Sequence, residues 1–477
     1  MQIRSHVRSL FALLLPCAAA AAQCLPGTQV AAPEWGTWYL GEPVVIGGEP
    51  APACTVFAFC TRRPAAFEEE ADYLRGLQQR FGERGLVTVA VVAERPEDRA
   101  AVEATWAGCR VVVDPDGATS SAWLGRDHVP WNVVALDRRG VVTFVGSSAE
   151  GLVDAVERTV AGEPRLDAAR IAFSLRGELR VAFADLDADV AARQLDQLIG
   201  LVPHDGVAHG LRYVTEVQKR LSPQGARERL LAAVAALNGE ARPLAAFADL
   251  ALRCDPRGDG LAQELLAPLS AAAKAVPGDV FVRLTHLRVL VLAGQGREIG
   301  RAAMRMQKLV LRSPEACLDF ASILTGDKDA VVHRDLAQRV LERAEQLGAP
   351  PRLVTAARYG AVLRCQEDPE QAGRVLDAYL AATGDGNLNN DCWYLMTELP
   401  TMGRYDWFAH ALAERMLQNR EAMQGHEFDT AALAKFLVGE VEEAVALQEK
   451  AIAMGGASAD YRQRLERYRA AAAAPPR

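Results

Sequence analysis

The segment CTVFAFCTRRPAAF, residues 54 to 67, constrains the fold more than any other part of this sequence. Its apolar run from Val56 to Phe59 has the composition of a buried β-strand. Thr61 is a good helix N-cap, and Pro64 falls within the first helical turn, where its missing N–H costs nothing. Apolar residues then recur at helical spacing as far as Leu77, so we predict a strand that enters an amphipathic helix through a tight polar turn. Such junctions often hold anions, substrates or reactive thiols in α/β proteins.

Strand and helix signals alternate from this junction to about residue 162. They predict further strands at 86–92, 109–113, 131–136 and 141–145, and helices at 96–105, 118–124 and 149–160. The last two strands flank the turn Asp137–Gly140 and are predicted to form an antiparallel hairpin. Because strand crossovers are right-handed, we expect a parallel group of strands beside this antiparallel edge.

From about residue 163 onward, strand signals fade and amphipathic segments rich in alanine and leucine dominate. Pairs of these segments recur about every 35 to 45 residues, a period that predicts an α-solenoid. The clearest pair, 430–438 and 442–454, flanks Gly439 and Glu440. The tail at 471–477 is predicted to fray.

Length and charge narrow the possible classes of protein. A chain of 477 residues is too long for one hydrophobic core, so we expect several domains. The formal net charge of −8 argues against a nucleic-acid partner, because nucleic-acid binders normally carry a basic face.

The N-terminus has the pattern of a secretory signal peptide over residues 1–22. Arg4 and Arg8 form its basic region, the run from Leu10 to Leu15 is apolar, and alanines precede Gln23. The apolar run is too short to span a bilayer. We therefore predict an exported protein, periplasmic or secreted, without stable membrane insertion.

Nine cysteines are present, of which Cys17 belongs to the predicted signal peptide. Export would permit disulfides. We interpret the four cysteines of the helical region as small buried hydrophobic residues: Cys254, Cys317, Cys365 and Cys392. No CxxC, HExxH or Cys/His cluster occurs, so we predict neither a metal site nor a bound cofactor.

Several stretches of the N-terminal region resemble the thioredoxin-like redoxins of the exported TlpA-like branch. These are GEPV at 41–44, VFAFC at 56–60, VVVDPDG at 111–117 and HVPWNVVALDRRGVV at 128–142. Pro130 falls where that family has a cis-proline beside its active-site loop. The resemblance implies an α/β thioredoxin-like domain over 23–162.

The sequence departs from this family at the redox motif. Where the family has CxxC, this chain has Thr61, Arg62, Arg63 and Pro64, and Cys60 stands one residue early. The dithiol–disulfide cycle needs two sulfurs, so the usual redox chemistry is not expected here.

The C-terminal region resembles the tetratricopeptide repeats. GEVEEAVALQEKAI at 439–452 has the small and apolar positions of that repeat, and 388–397 and 403–416 are similar to degenerate copies. The resemblance implies an all-α helical-repeat domain over 163–470 that binds a protein or peptide partner.

Cys60 is the candidate catalytic residue. A thiol at a helix N-terminus beside Arg62 and Arg63 has a lowered pKa and is reactive, whereas a thiol that ends a buried strand simply packs. A second sulfur could come from Cys54 or Cys109. A direct bridge between Cys54 and Cys60 is excluded, because six residues of extended strand span about 20 Å.

Other candidate site residues lie in the active-site turn and in the helical repeats. Arg62 and Arg63 either hold an anion together with Thr61 and Pro64 or form a solvated loop, and Pro130 would shape the site. An aromatic group in the repeats is either core or a peptide-binding patch: Trp393, Tyr394, Tyr405 and Trp407.

Two functions of different class follow from these features. The first is a protein-interaction module of the cell envelope that has lost the CxxC redox site. The second is a thiol–disulfide oxidoreductase or peroxide-reducing redoxin that uses Cys60 as a single thiol.

Overall fold

The computed structural model describes residues 24–30, 35, 37–60, 67–93, 99–124, 133–183, 186–220, 222–255, 260–383, 388–398, 401–419, 421–454 and 459–473. The predicted signal peptide, the turn residues Thr61, Arg62, Arg63 and Pro64, and the predicted cis-proline Pro130 lie outside these ranges.

A six-stranded mixed sheet forms the N-terminal part of the chain. Five of its strands are those that the apolar runs predict, and the sixth, Trp38–Leu40, was not predicted. Its strands lie in the order β1-β4-β3-β2-β5-β6. Their bounds are β1 Trp38–Leu40, β2 Cys54–Cys60, β3 Leu86–Val92, β4 Arg110–Val113, β5 Val133–Asp137 and β6 Val142–Gly146. Strands β2, β3 and β4 are parallel, whereas β5 pairs antiparallel with β2 and β6 with β5, so the predicted parallel group beside an antiparallel hairpin is confirmed.

Helices connect and follow these strands: α1 Phe67–Phe81, α2 Arg99–Thr105, α3 Ala118–Leu124 and α4 Leu152–Val160. A short 3₁₀ turn, Gly82–Arg84, follows α1 and ends at Gly85, whose φ of 90° is a left-handed conformation that favours glycine. Gly85 thus ends this turn directly before β3.

The two faces of β2 pack against different partners, because successive strand residues point to opposite sides. Val56, Ala58 and Cys60 belong to the same apolar cluster as Leu74 of α1. Phe57 faces the other side, where its ring stacks on Trp35 with the centroids 5.3 Å apart. The sheet is thus buried on both faces, as its continuous apolar strands predict.

The rest of the described chain is helical, which confirms the predicted order of an α/β region followed by an all-α region. The helices are α5 Leu166–Ala182, α6 Ala188–Leu201, α7 Gly206–Val214, α8 Pro223–Ala236, α9 Ala241–Cys254, α10 Leu261–Ala275, α11 Val280–Leu292, α12 Gly296–Val310, α13 Pro314–Thr325, α14 Arg334–Gln346, α15 Pro351–Cys365, α16 Pro369–Thr383, α17 Leu388–Thr397, α18 Asp406–Leu417, α19 Gly425–Val438, α20 Val441–Ala453 and α21 Ala459–Ala473.

Most of the later helices, from α10 onward, pack mainly on their neighbours in the chain. Contacts with the next helix but one also recur, for example between α11 and α13 and between α13 and α15. This pattern of near-neighbour packing is typical of a helical-repeat array. Within the described ranges, no helix is both long and apolar enough to cross a membrane.

The chain forms two compact units. The first consists of Met1–Arg212, Ala235–Ala246 and Val276–Asp279, and the second of Tyr213–Val234, Phe247–Ala275 and Val280–Arg477. The first unit contains the sheet, and the second contains most of the helical array.

A buried arginine joins the short segments of the first unit to its main part. Arg242 lies 2.5 Å from Asp279 through its Nε, donates to Ser148 Oγ at 2.8 Å and covers the ring of Tyr73 at 4.7 Å. These contacts tie the segments Ala235–Ala246 and Val276–Asp279 to the helix and loop that flank the sheet.

Candidate functional site

Cys60 is the last residue of β2, where it pairs in register with Val92 of β3. Its side chain is 4% exposed and lies in the apolar cluster beneath α1. The thiol contacts the carbonyl oxygen of Ala58 at 3.7 Å, a long and weak hydrogen bond. The structure therefore gives Cys60 the surroundings of a core residue, at the strand end that precedes the predicted active-site turn.

The two other cysteines considered as partners of Cys60 are also buried. Burial raises the pKa of the Cys54 thiol well above its usual range, and the charge of Asp137 adds to this shift. Burial also raises the pKa of Cys109, although Thr88 and Arg75 oppose the effect. A thiol with a raised pKa is protonated at neutral pH and is a poor nucleophile.

The eight cysteines in the described part of the chain are all buried and form no disulfide with one another. The four that belong to the helices are therefore small buried residues, as predicted. Burial raises the pKa of Cys254 to about 12 and that of Cys365 to about 11.

The predicted aromatic group occupies α17, α18 and the turn between them. Tyr405 is buried, whereas Trp393, Tyr394 and Trp407 are half-buried. Burial and nearby charges raise the pKa of Tyr405 well above its usual range, so its hydroxyl stays protonated. Tyr405 is thus a core residue, and the other three rings reach the surface.

A guanidinium from another helix covers each of these half-buried rings. Arg352 lies 4.6 Å from the ring centroid of Tyr394, and Arg364 lies 5.0 Å from that of Trp407. Arg464 lies 5.6 Å from the ring of Trp393. The three pairs are cation–π contacts, and we call them the arginine–aromatic pairs.

Carboxylates hold two of these arginines in place. Asp391 lies 2.7 Å from Nη2 of Arg352 and also accepts a 2.6 Å hydrogen bond from the hydroxyl of Tyr379. Asp429 accepts two 2.8 Å hydrogen bonds from Arg464. In these two pairs the cation is therefore held in a fixed position relative to the ring.

Five charged residues meet in the interior of the second unit, and we call them the buried arginine cluster: Asp249, Arg253, Arg288, Asp319 and Arg404. Asp319 lies 2.5 Å from Nη2 of Arg288 and 3.2 Å from Nε of Arg404. Asp249 lies 2.7 Å from Nη2 of Arg253. The cluster joins α9, α11 and α13 to the turn before α18.

The charges of this cluster reinforce one another. Burial alone would raise the pKa of Asp249, but the guanidiniums of Arg253, Arg288 and Arg404 hold it below its usual range. Asp249 is therefore ionised at neutral pH, and the cluster acts as a buried ion-pair network that fixes neighbouring helices.

The buried arginine cluster was not predicted, because its members are far apart in the chain. A signal for it does exist in the sequence. Arg288 lies in the otherwise apolar run LRVLVL of α11, and Asp319 lies in CLDFASIL of α13. A charge inside an apolar helical stretch must find a partner, because an unpaired buried charge is very costly.

His410, Glu414 and Glu440 place their ligand atoms within 4.8 Å of one another, as a metal site requires. The ammonium of Lys435 lies 2.5 Å from Glu414 and 2.5 Å from Glu440. Glu443 lies 2.9 Å from the same nitrogen. A cation of the chain itself thus already contacts all three carboxylates, so we assign this group a structural role.

A cavity of about 60 Å³ lies beside β6 and α4, with Thr143, Thr159 and Arg176 among its lining residues. Asp154 and Arg158 also line it, so its wall carries charges of both signs.

Comparison with known proteins found no family model that matches this chain and no curated protein that is similar to it.

Proposed function

We propose that this chain is an exported protein-interaction module in which a thioredoxin-like domain without its redox pair accompanies a tetratricopeptide-like helical array. The arginine–aromatic pairs on α15, α17, α18 and α21 carry this proposal. They offer half-buried rings next to cations, two of which are held by carboxylates, and aromatic residues and arginine are enriched in the energetic centres of protein interfaces.

The sheet supports the thioredoxin-like part of the proposal. Its parallel strands β2, β3 and β4 adjoin the antiparallel hairpin of β5 and β6, and this mixed sheet is compatible with a thioredoxin-like domain. The burial of Cys60 and the absence of a CxxC motif support the loss of redox function.

The best repeat-like segment supports the tetratricopeptide-like part. Gly439 ends α19 with a φ of 102°, and α20 follows it directly. Ala444 and Ala451 of α20 are fully buried, as the small positions of such a repeat require. Helix pairs of this kind bury one face on their neighbours and leave the other for partners.

The partner that fits these pairs is a protein or peptide segment with carboxylate and apolar side chains. Carboxylates would pair with the free edges of the guanidiniums, while apolar groups would cover the exposed parts of Trp393 and Trp407.

Site-specific photocrosslinking in cells tests this proposal. A photoreactive amino acid is placed at Trp393 or Trp407, with the exposed position Gln338 on α14 as the matched control. We expect both tryptophan positions to capture the same protein and Gln338 not to capture it. The purified partner should then bind Trp407→Ala at least about tenfold more weakly than the native chain. Capture that is equal at all three positions would contradict the proposal.

The position of Cys60 favours the oxidoreductase as a second candidate. The residue ends a central parallel strand, immediately before the predicted active-site turn. Alkylation over a pH series with mass-spectrometric mapping separates the two functions. The interaction module predicts a Cys60 that reacts only after unfolding, and a Cys60→Ser variant with unchanged partner binding. Rapid alkylation below the ordinary thiol pKa of about 8.5, or a disulfide- or peroxide-reducing activity that Cys60→Ser abolishes, would favour the oxidoreductase.

A further inference from the structure

Helix α12 carries an exposed row of basic side chains, which we call the basic crest: Arg297, Arg301, Arg305 and Lys308, with Arg312 just beyond the helix. All five residues are exposed. The chain as a whole has a formal net charge of −8, so this concentration of positive charge is local and opposite in sign to the overall balance.

The basic crest points directly away from the helical array. At about 100° per residue, its four helical cations lie within an arc of roughly 80°. The residues on the opposite side of the helix are buried: Ile299, Ala303, Met306 and Val310. The crest is therefore the outermost line of α12, and it extends for about 16 Å from Arg297 to Lys308.

An acidic side chain lies beside the crest. Glu298 lies at the margin of the crest, 3.9 Å from Arg301, and both side chains are more than half exposed. An ion pair of this kind is worth little. The positive field extends to α11, where burial and the charge of Arg305 lower the pKa of Arg283.

An apolar side chain lies at one edge of the crest. Met304 is 69% exposed, follows Arg301 by one helical turn and immediately precedes Arg305. Methionine is flexible and adapts to irregular apolar surroundings. The crest thus offers cations for anionic groups and one apolar group beside them.

We propose that the basic crest docks this protein on the surface of an anionic phospholipid bilayer. Arginine binds phosphate oxygens through its planar fork, and basic residues near an anionic membrane are attracted to it electrostatically. The crest is a ridge rather than a groove, so a flat bilayer reaches all of its cations at once, whereas an extended peptide would contact it along one line. Met304 would enter the boundary between headgroups and acyl chains.

This docking is peripheral and independent of the protein-interaction function. The basic crest lies on α12, whereas the arginine–aromatic pairs lie on α15, α17, α18 and α21. Failure of one proposal therefore leaves the other intact.

Vesicle co-sedimentation of the full chain tests the proposal. We expect binding to vesicles that contain phosphatidylglycerol and little binding to pure phosphatidylcholine. Binding should fall steeply when salt rises from about 0.1 M to about 1 M, because the Debye length shrinks from about 10 Å to about 3 Å. Each membrane-proximal cation is worth about a fivefold change in affinity, so Arg301→Gln with Arg305→Gln should weaken binding about 25-fold.

The matched control is Arg193→Gln with Arg374→Gln, which removes the same charge from exposed positions on α6 and α16. We expect it to bind vesicles like the native chain. Both double variants should keep the native circular dichroism and melting temperature, since all four side chains are exposed.

Three outcomes would overturn the proposal. Equal binding to the two kinds of vesicle would exclude an electrostatic origin. An equal loss of affinity in both double variants would show that net charge, and not the crest, controls binding. Crest-dependent binding of poly-glutamate without binding of phosphatidylglycerol vesicles would assign the crest to an acidic polypeptide instead.

Discussion

The sheet and the helical array both have a buried interior, but the side chains that fill the two interiors differ in chemistry. In the sheet, Val56–Phe59 of β2 and Val89–Val92 of β3 are buried and wholly apolar. In the array, the interior contains the buried arginine cluster, with Asp249 and Asp319 among three arginines. Both groups of residues are well buried, yet of these two only the group in the array spends desolvation free energy on charges.

The way in which each region sets its register explains this difference. Every residue of β2 is paired with a residue of β3 through the backbone ladder, from Cys54 with Leu86 to Cys60 with Val92. Helices have no backbone hydrogen bonds to one another, and the packing of side-chain ridges into grooves fixes their crossing angles only to within about 15–20°. We interpret the buried arginine cluster as the group of residues that determines which helices pack against each other and how they are shifted along their axes.

The largest expected effect is the loss of an acceptor in this cluster. Asp319→Ala leaves Arg288 and Arg404 without their shared carboxylate, and breaking a buried ion pair in this way should lower the free energy of unfolding by about 4 kcal/mol. Urea unfolding of the purified chain measures the loss, and hydrogen exchange should place it in α11 and α13.

Asp377→Ala is the matched control, because Asp377 is an exposed aspartate on α16. We expect it to change the free energy of unfolding by less than about 0.5 kcal/mol. If Asp319→Ala lowers the free energy of unfolding by less than about 1 kcal/mol, the buried charges do not stabilise the helical array, and the contrast with the apolar sheet fails.

The corresponding change in the sheet is the truncation of an apolar side chain. Leu136 of β5 is 1% exposed and packs in the cluster that contains Phe57 and Trp123. Leu136→Ala should cost about 3 kcal/mol, the sum of lost burial and of the cavity that remains. Hydrogen exchange should rise in β5 and β2. Unchanged exchange in these strands would show that the sheet does not depend on close apolar packing.

The contrast between the two regions also explains what the sequence can predict. Continuous apolar runs identify β2, β3 and the hairpin because a buried strand needs nothing else, and Gly85 marks the end of a helix by its backbone requirement alone. The ion pairs of the array could not be predicted in the same way. Asp319 and Arg404 are separated by several helices, and their contact depends on helix packing that no local pattern records.

Acid should affect the two regions differently. The pKa of Asp249 lies below its usual range, since the surrounding arginines outweigh burial. A lowered folded pKa contributes stability above the ordinary value of about 3.9 and loses it as the pH falls through the folded value. We therefore expect α9 and α11 to lose protection against hydrogen exchange below about pH 4, and less so in Asp249→Asn, whose side chain does not titrate.

The first unit contains two buried carboxylates whose pKa values are shifted in opposite directions. Burial raises the pKa of Asp205 in spite of the nearby Arg176. Arg180 and Arg176 hold the pKa of Glu150 below its usual range in spite of burial. Protonation stabilises the fold through Asp205 and destabilises it through Glu150, so the two contributions cancel in part. A loss of protection around these residues that equals the loss in α9 and α11 would contradict the expected difference.

The smallest expected effect is the loss of stability when a buried cysteine is replaced by alanine, once in the sheet and once in the helical array. Cys54 of β2 and Cys392 of α17 are both 0% exposed, so replacement by alanine removes one buried sulfur from each and should cost about 1 kcal/mol. The thiol of Cys392 also donates to the carbonyl oxygen of Ala409 on α18 at 3.2 Å. If polar contacts between helices fix the register of the array, Cys392→Ala should cost a few tenths of a kcal/mol more than Cys54→Ala, because a thiol is only a weak donor. Urea unfolding midpoints measure the two losses of stability. If Cys392→Ala and Cys54→Ala lose the same amount, the thiol contact does not help to fix the register of the array, and only the charged groups have that role.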